Sequence, residues 1–342
     1  MNKNIKNILL TVLTATLFIG FFIWNIAKEE TAFSDSERRA LASFPELSIE
    51  SVVSGEFMKE FEDYTLDQFP ARDIFRSIKA FFSNYVFFNK DNNDVILYDG
   101  HISKLEYPLK GDMIDHATER FSFIYDSFIK DSGAKVYLSV VPDKNMFIAQ
   151  KGGYLSLDYA SLISSVREKT PFAEYIDITP FLSADDYYFT DSHWRQEKIV
   201  DVAEHIASEM GAVFSDEFTV NTVEKPFYGT YYGQAALPVK PDGISYLTNP
   251  ATDACKVLSY GGKTPVEVPV YNLENANGKD PYEMFLSGNQ ALLTIENRLS
   301  SNGKELVIFR DSFGSSLAPL LIQSYSKITV VDIRYINSAV IG

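Results

Sequence analysis

The amino-acid sequence predicts an α/β fold in which an open, mostly parallel sheet is flanked by helices. Short apolar runs indicate strands, and apolar residues three or four positions apart indicate helices. The two patterns alternate along the chain, which is typical of a parallel sheet covered on both faces. Strands are expected at residues 95–98, 135–141, 175–178, 306–309 and 328–333, and helices at 113–130, 161–168 and 195–210.

The length of 342 residues allows several regions. We expect a membrane anchor or signal at 1–27, a stem and helical region at 28–92, and the α/β domain at 93–342. Segment 218–290 is rich in Tyr, Gly, Pro and Asn and lacks periodicity, so we expect an inserted, loop-rich lid there. Few residues come after the last predicted strand, from which we expect that the α/β domain is truncated at its C-terminus.

The first region has the features of a membrane-spanning helix. Lys3 and Lys6 precede residues 8–24, which carry no charge, and the uncharged stretch continues to Ala27. A span needs roughly 20 apolar residues, and basic residues at its N-terminal end place the remainder of the chain outside the cell. We therefore predict a single-pass protein of the cell membrane with an extracytoplasmic body. The alternative is secretion after cleavage of a signal peptide, although Asn25-Ile-Ala27 is a poor cleavage site.

Composition excludes several classes of function. Apolar residues make up 46% and aromatic residues 14% of the chain, as expected of a globular protein. The net charge of −15 argues against a nucleic-acid partner, which needs concentrated Lys and Arg. Cys255 is the single cysteine, so no disulfide framework or cysteine-rich metal site is possible. A metal hydrolase using Asp191 and His193 with His101, His116 or His205 is an alternative, but none of the four histidines forms a His-x-x-x-His pair, and we expect neither a metal nor a cofactor.

Two motifs carry groups suited to acyl transfer: Asp191-Ser-His193-Trp194 and Arg310-Asp-Ser312-Phe-Gly314. Acyl transfer by a serine needs a hydroxyl nucleophile, a base to take its proton, and a carboxylate to orient the base. If the first motif is extended, Asp191 and His193 point to the same side. Ser312 follows the carboxyl end of a strand, where open α/β sheets place their ligands. These three are the candidate catalytic residues.

Four further residues are candidates for binding the substrate or the oxyanion. The amides of Phe313 and Gly314 open a predicted helix and are placed to bind a developing negative charge. Gly314 would also allow close approach of the substrate. Arg310 is expected either to steer a substrate group or to pair with a carboxylate. Trp194 is expected to pack at the start of the helix that follows it, predicted at 195–210, and to hold the loop. Each motif also has a structural reading, since Asp311-Ser312 suits a helix N-cap.

The chain resembles the DHHW proteins of Gram-positive bacteria, which are related to alginate O-acetyltransferases of the AlgJ and AlgX kind. The two motifs above carry the resemblance, together with the segments Ser36-Glu-Arg-Arg-Ala-Leu, Gln68-Phe-Pro-Ala-Arg72 and Val141-Pro-Asp-Lys144. It implies an SGNH-hydrolase-like domain with its triad on Ser312, His193 and Asp191. It further implies acetyl transfer to exported polysaccharide, fed by a membrane-bound acyltransferase of the MBOAT class.

Two positions depart from the family pattern. Ser192 stands where the family has the first His of Asp-His-His-Trp, and Arg310 stands where SGNH hydrolases have a glycine. Because His193 and Ser312 are kept, we predict a serine acyltransferase or esterase that acts on cell-surface or exported polysaccharide through an acyl-Ser312 intermediate. Its partners would be a polysaccharide acceptor and an acyl donor. The alternative is a noncatalytic glycan-binding or scaffold protein of a polysaccharide-modifying complex.

Overall fold

The computed structural model describes residues 3–214, 216–262, 264–332 and 334–335. The chain divides between Asn92 and Asn93 into two compact units, and Ala236–Pro238 group with the first. The segment after the last predicted strand lies almost wholly outside the described residues, as does Ile333 within that strand. The expected C-terminal truncation therefore also falls outside them.

The first unit is built from helices joined by a short extended stem. Helix α1 is long and apolar enough to cross a membrane, and none of its span is buried. Phe69 and Pro70 lie between the two helices Glu56–Asp67 and Arg72–Phe81. The elements are α1 (Lys3–Ala27), β1 (Phe33–Ser34), β2 (Arg39–Ala40), α2 (Ile49–Ser54), α3 (Glu56–Asp67) and α4 (Arg72–Phe81), and a π-helical turn, Phe82–Val86, continues α4.

The stem of this unit is fixed by buried polar side chains at the end of α3. Arg39 donates two hydrogen bonds to the Asp67 carboxylate, at 2.8 and 2.5 Å. The hydrogen bond from Arg39 lowers the pKa of Asp67 despite the opposing effect of burial. The Gln68 amide donates to the Thr31 and Ala42 carbonyls, both at 3.0 Å. These bonds satisfy backbone groups of a segment with almost no regular structure.

The second unit contains the remaining elements. The helices are α5 (Gly111–Ile124), α6 (Asn145–Ile148), α7 (Tyr159–Lys169), α8 (Val200–Glu209), α9 (Thr230–Ala235), α10 (Pro250–Ala254) and α11 (Phe313–Leu321). The strands are β3 (Val95–Tyr98), β4 (His101–Lys104), β5 (Tyr137–Leu138), β6 (Glu174–Tyr175), β7 (Thr219–Thr222), β8 (Ser245–Thr248), β9 (Lys256–Ser259), β10 (Val266–Val268), β11 (Leu292–Glu296), β12 (Glu305–Phe309) and β13 (Lys327–Val331).

The largest sheet of the described chain has five strands in the order β10-β9-β11-β13-β12. Strands β12 and β13 are parallel, whereas β13 with β11, β11 with β9, and β9 with β10 are antiparallel. A second parallel pair, β5 and β6, is only two residues long in each strand. The α/β class is therefore observed, but the prediction of a mostly parallel sheet is wrong for this sheet.

The error has two physical sources. The run 306–309 has the apolar content of a strand buried on both faces, but it lies at the edge of the sheet and Val307 is 54% exposed. Strands β9 and β10 come from segment 218–290, which does not form a separate lid there and instead contributes a hairpin to the sheet. Hairpin strands are antiparallel because a short turn joins them, and apolar content alone does not encode strand direction.

The β12–α11–β13 unit places the serine motif. Arg310, Asp311 and Ser312 form the turn between the carboxyl end of β12 and the first residue of α11. Helix α11 contributes Ala318, Leu320 and Leu321 to the main core, which it shares with residues of α8, β11 and β13. The turn is thus held between an edge strand and a helix that the core anchors.

Candidate active site

The loop 188–191, which ends at Asp191, is held by two buried charged side chains. Lys144 donates from Nζ to the carbonyls of Tyr188 at 2.7 Å, Phe189 at 3.1 Å and Asp191 at 2.7 Å. The three donors of one ammonium thus meet three carbonyls. Burial lowers the pKa of Lys144 to about 7, against the charges of Asp191 and Asp242, while the three carbonyls favour its charged form.

The opposite side of the same loop meets a carboxylate. Asp242 accepts hydrogen bonds from the amides of Phe189 and Thr190, both at 2.8 Å, and from the Thr190 hydroxyl at 2.6 Å. An irregular buried loop must satisfy its backbone groups without a sheet or helix. Lys144 covers carbonyls and Asp242 covers amides, so the two side chains together replace regular secondary structure.

Asp191, His193 and Ser312 form one chain of hydrogen bonds. Nδ1 of His193 lies 2.5 Å from Oδ1 of Asp191, and Nε2 lies 2.8 Å from the Ser312 hydroxyl. The His193 amide also donates to the Asp191 carboxylate, at 3.1 Å. The structure therefore brings together the three residues that the sequence predicted to be catalytic. A base in hydrogen-bond contact with a hydroxyl, and itself oriented by a carboxylate, is the arrangement that activates a serine.

The Asp191 carboxylate is buried and fully engaged. Its Oδ2 accepts from the Thr230 amide at 2.8 Å. Burial alone raises the pKa of Asp191, but the charge of His193 and the hydrogen bonds from His193 and Thr230 outweigh it and hold that pKa well below its usual range. The stability that this carboxylate confers is present above about pH 4, where an unfolded Asp is ionised, and is lost as the pH falls toward the native pKa.

Ring contacts fix the orientation of the His193 imidazole. Tyr282 stacks on it with ring centroids 3.8 Å apart and planes 11° from parallel, and Phe313 lies 5.0 Å from it. The Tyr282 hydroxyl is 2.8 Å from the Ser316 hydroxyl on α11. The imidazole is therefore held at both nitrogens and on one face, and the His193 side chain keeps 13% of its surface exposed.

Trp194 is a packing residue and has no surface for a substrate. It is completely buried, and its indole donates to the Ser316 hydroxyl at 2.9 Å and to the Phe313 carbonyl at 3.2 Å. It also meets Phe313 edge-to-face at 5.4 Å. The sequence predicts Trp194 at the start of the helix at 195–210, whereas its contacts lie at the start of α11. Its complete burial gives no support to its place among the substrate-binding candidates. It ties the first motif to the helix that follows Ser312.

Arg310 pairs with a carboxylate inside the protein. Its side chain is almost fully buried, 3.6 Å from Asp332, and it donates to the Asp311 and Gly288 carbonyls at 3.2 and 3.4 Å. Of the two roles expected for Arg310, the structure favours pairing over steering of the substrate. The same packing explains the glycine at position 314, because a Cβ at that position would lie 2.6 Å from Cβ of Arg310. The glycine therefore makes room for the Arg310 stem, and the close approach of a substrate stays a prediction.

The Phe313 amide, predicted to bind an oxyanion, already has a partner. It donates to Oδ1 of Asp311 at 3.0 Å, a local bond between a side chain and the amide two residues further on. The N-cap residue of α11 is Ser312, whose side chain makes no capping hydrogen bond. In this structure the amide is therefore engaged by an anion of the protein itself. Gly314 is the next amide along the N-terminal turn of α11.

Four residues of the site have no role assigned from the sequence. Lys144 is the last residue of the Val141-Pro-Asp-Lys144 segment, which carried part of the family resemblance. The sequence therefore pointed to this residue but not to its role. Thr230 lies in a Gly- and Tyr-rich stretch predicted to cover the site. Its contact with Asp191 is made by its backbone amide. Asp242 and Tyr282 had no signal, because nothing local distinguishes them from surface residues of a loop-rich segment.

The other histidines have structural surroundings or lie apart from the site. The His101 ring stacks on Phe189 at 4.3 Å, and burial lowers the pKa of His101 to about 4. The His205 ring stacks on Phe181 at 4.4 Å. Within the described residues, no group of three or more His, Cys, Asp or Glu side chains is arranged to hold a metal ion.

No protein-family model and no curated protein matches this chain. Solved structures do match it. A DHHW family protein from Eubacterium siraeum is 22% identical, with 72% of this chain and 85% of that chain covered and a TM-score of 0.55. PatB1 of Bacillus cereus, in a structure with a sulfonyl adduct, is 18% identical, with 72% and 88% covered and a TM-score of 0.58. This chain shares their fold.

The resemblance to DHHW proteins is thereby confirmed at the level of the fold. The O-acetyltransferase domain of Pseudomonas putida AlgJ aligns more loosely, at 14% identity and a TM-score of 0.41, with 70% of this chain and 78% of that domain covered. At such identities, function has to be argued from the site itself.

Replacing Lys144 with Met is expected to lower the free energy of unfolding by about 3 kcal/mol or more, because three buried carbonyls lose a charged donor. Urea unfolding of the full-chain variants would measure it. Lys151→Met, at an exposed position, is the matched control. A Lys144→Met protein as stable as that control would show that the loop is held by other contacts.

Gly229→Ala is expected to lower the free energy of unfolding by about 2 kcal/mol or more. The new Cβ would lie 2.3 Å from Cβ of Asp191 and 2.4 Å from the Thr190 carbonyl oxygen, so the loop has to shift. Gly243→Ala adds the same methyl group where nothing lies within 4 Å and should be near neutral. Equal stabilities of the two variants, measured by thermal or urea unfolding, would contradict the close packing at Gly229.

Proposed function

We propose that this protein is an extracytoplasmic serine acyltransferase or esterase acting on a cell-surface or exported polysaccharide. The observation that carries the proposal is the hydrogen-bond chain from Asp191 through His193 to Ser312, with distances of 2.5 and 2.8 Å. The shared fold with a DHHW protein and with PatB1 supports it. The sulfonyl adduct in the PatB1 structure is of a kind that forms on activated nucleophiles. The same reaction with a sulfonyl reagent can therefore be tested at Ser312.

The reaction would proceed in two steps. The Ser312 oxygen attacks the carbonyl carbon of the acyl donor while His193 Nε2 takes the hydroxyl proton. His193 returns that proton to the leaving group as the acyl–donor bond breaks, which leaves an ester on Ser312. In the second step a sugar hydroxyl gives its proton to His193 and attacks the ester. Ser312 recovers a proton from His193, and the acyl group leaves on the sugar.

Each surrounding group has a role in this scheme. Asp191 stabilises the imidazolium and fixes its tautomer, because its carboxylate accepts from Nδ1. We assign the oxyanion to the Gly314 amide, helped by the positive end of the α11 dipole. The Phe313 amide would also bind the oxyanion, but only once its hydrogen bond to Asp311 is broken. A sugar hydroxyl is a suitable acceptor for this acidic protein, because it carries no negative charge that the protein would repel.

The acceptor side is supported by aromatic residues near the triad. Tyr228 and Tyr232 lie on either side of Thr230, whose amide binds Asp191, and their rings are 4.5 Å apart. Tyr228 is 41% exposed. Flat aromatic surfaces suit the apolar faces of sugar rings. Helix α1 would hold the body at the outer face of the membrane, where a membrane-bound acyltransferase of the MBOAT class could supply acyl groups.

One observation favours the alternative of a noncatalytic glycan-binding or scaffold protein. The Phe313 amide, the predicted oxyanion donor next to the nucleophile, is occupied by Asp311. A protein that functions only in docking would not need this amide to be free for an oxyanion. The two functions differ in whether Ser312 is a reactive nucleophile.

Treatment with a fluorophosphonate or sulfonyl fluoride is expected to modify Ser312, and peptide mass spectrometry would locate the adduct. Ser312→Ala and His193→Ala should abolish both labelling and ester turnover, while His116→Ala, an exposed histidine, should change neither. Circular dichroism would confirm that the inactive variants are folded. Turnover that survives in both variants would rule out the triad, and an unlabelled, folded wild-type chain would favour the scaffold.

Asp191→Asn is expected to lower kcat/KM by about 10⁴, the size of the effect when a serine-protease triad loses its carboxylate. An asparagine amide that donates to His193 leaves the wrong nitrogen protonated, so Nε2 can no longer accept the serine proton. Steady-state turnover of an activated acetyl ester would measure the loss. A fall of less than about tenfold would leave Asp191 with a structural role only.

A further inference from the structure

Helix α4 and the π-helical turn after it are amphipathic, but with the polar face turned inward. Arg72 and Arg76 lie one turn apart and face the stem of the first unit. Both are paired with Glu37, Arg76 at 3.2 Å, and Arg72 also approaches Asp67 at 3.3 Å. Their side chains are only 18% and 21% exposed. These two arginines are therefore engaged inside the first unit and are not available at its surface.

Large exposed apolar side chains run along α4, the π-helical turn and the two residues after it. They are between 44% and 80% exposed: Ile74, Phe75, Ile78, Phe81, Phe82, Tyr85, Val86, Phe87 and Phe88. A continuous exposed apolar surface of this kind marks a site of contact with a membrane or another protein. We call these residues the α4 apolar face.

The contacts of helix α1 locate this face relative to a membrane. Phe21 of α1 stacks on Phe69 at 5.8 Å and meets Phe75 edge-to-face at 5.9 Å. Phe21 precedes Ala27, the last residue of α1, by six positions, or about 9 Å along a helix that rises 1.5 Å per residue. If α1 spans a bilayer, Phe75 lies below its outer end, at the depth of headgroups and upper acyl chains.

We propose that the α4 apolar face lies in the outer surface of the lipid bilayer, so that the first unit is an interfacial membrane module and not a free stem. Helices that lie in the interface bury one apolar face about 5–10 Å into the headgroup and acyl boundary, which matches the depth set by Phe21. The phenylalanines and the tyrosine of the face are residues typical of that boundary. The proposal goes beyond the function proposed for Ser312 and depends on α1 remaining in the membrane.

The charge of the region indicates what drives the contact. Residues 28–92 contain eight Lys and Arg against thirteen Asp and Glu. A net negative segment is not drawn to anionic lipid, so the attraction has to come from apolar burial. Binding of the face should therefore be the same on neutral and on anionic vesicles.

The test uses the full chain with Cys255→Ser, reconstituted into phosphatidylcholine vesicles with and without phosphatidylglycerol. Single cysteines replace Phe82 and Phe87 on the face, and Glu60, exposed on α3, serves as the matched control. Each is given a nitroxide spin label. Collisions of the label with oxygen, which concentrates in lipid, are compared with collisions with a water-soluble nickel chelate.

At Phe82→Cys and Phe87→Cys the label is expected to meet oxygen more often than nickel, and at Glu60→Cys the order should reverse, in both kinds of vesicle. An aqueous profile at both face positions would overturn the proposal. Labels shielded from both reagents would also overturn it, in favour of a protein partner, and so would release of the chain from vesicles by alkaline carbonate. Labelling of Ser312 by the fluorophosphonate, measured on the same samples, tests the proposed function separately.

Discussion

The site depends on how an irregular buried loop satisfies its backbone. Residues 188–191 are in neither a helix nor a strand, yet three of their carbonyls and two of their amides are capped by one ammonium and one carboxylate. A buried Lys or a buried Asp alone would be costly. Here each charge is compensated by oriented backbone dipoles, and the two charges have opposite signs. The loop consequently has a fixed shape before any substrate arrives.

That fixed shape is what the chemistry requires. Asp191 is the last residue of the loop, and its carboxylate is held by its own neighbour His193 and by the Thr230 amide. Trp194 then joins the loop to α11, the helix that begins one residue after Ser312. Ser312 and His193, the proposed nucleophile and base, are 119 residues apart in sequence and are positioned through packed and hydrogen-bonded contacts. Preorganisation of this kind keeps the reacting groups in place without a further cost at the moment of reaction.

The sequence was sufficient for residues whose chemistry is carried by their own side chains. Asp191, His193 and Ser312 were found because a carboxylate two residues from an imidazole, and a serine after an apolar strand, are informative by themselves. Lys144 and Asp242 act on backbone groups more than forty residues away, and a backbone group leaves no mark in a sequence. The direction of β9 to β11 was missed for a similar reason, since apolar content does not record which strand is the neighbour.

Arg310 and Gly314 show that residues of the serine motif also build the turn itself. The arginine is buried beside Asp332, which is one of the two roles expected for it, and the lack of a side chain at position 314 accommodates the arginine stem. The motif therefore forms the turn on which Ser312 stands, and the Gly314 amide at the start of α11 is the group proposed to bind the oxyanion. The His193 ring is covered on one face by Tyr282 and flanked by Phe313, which limits the room for water beside the base.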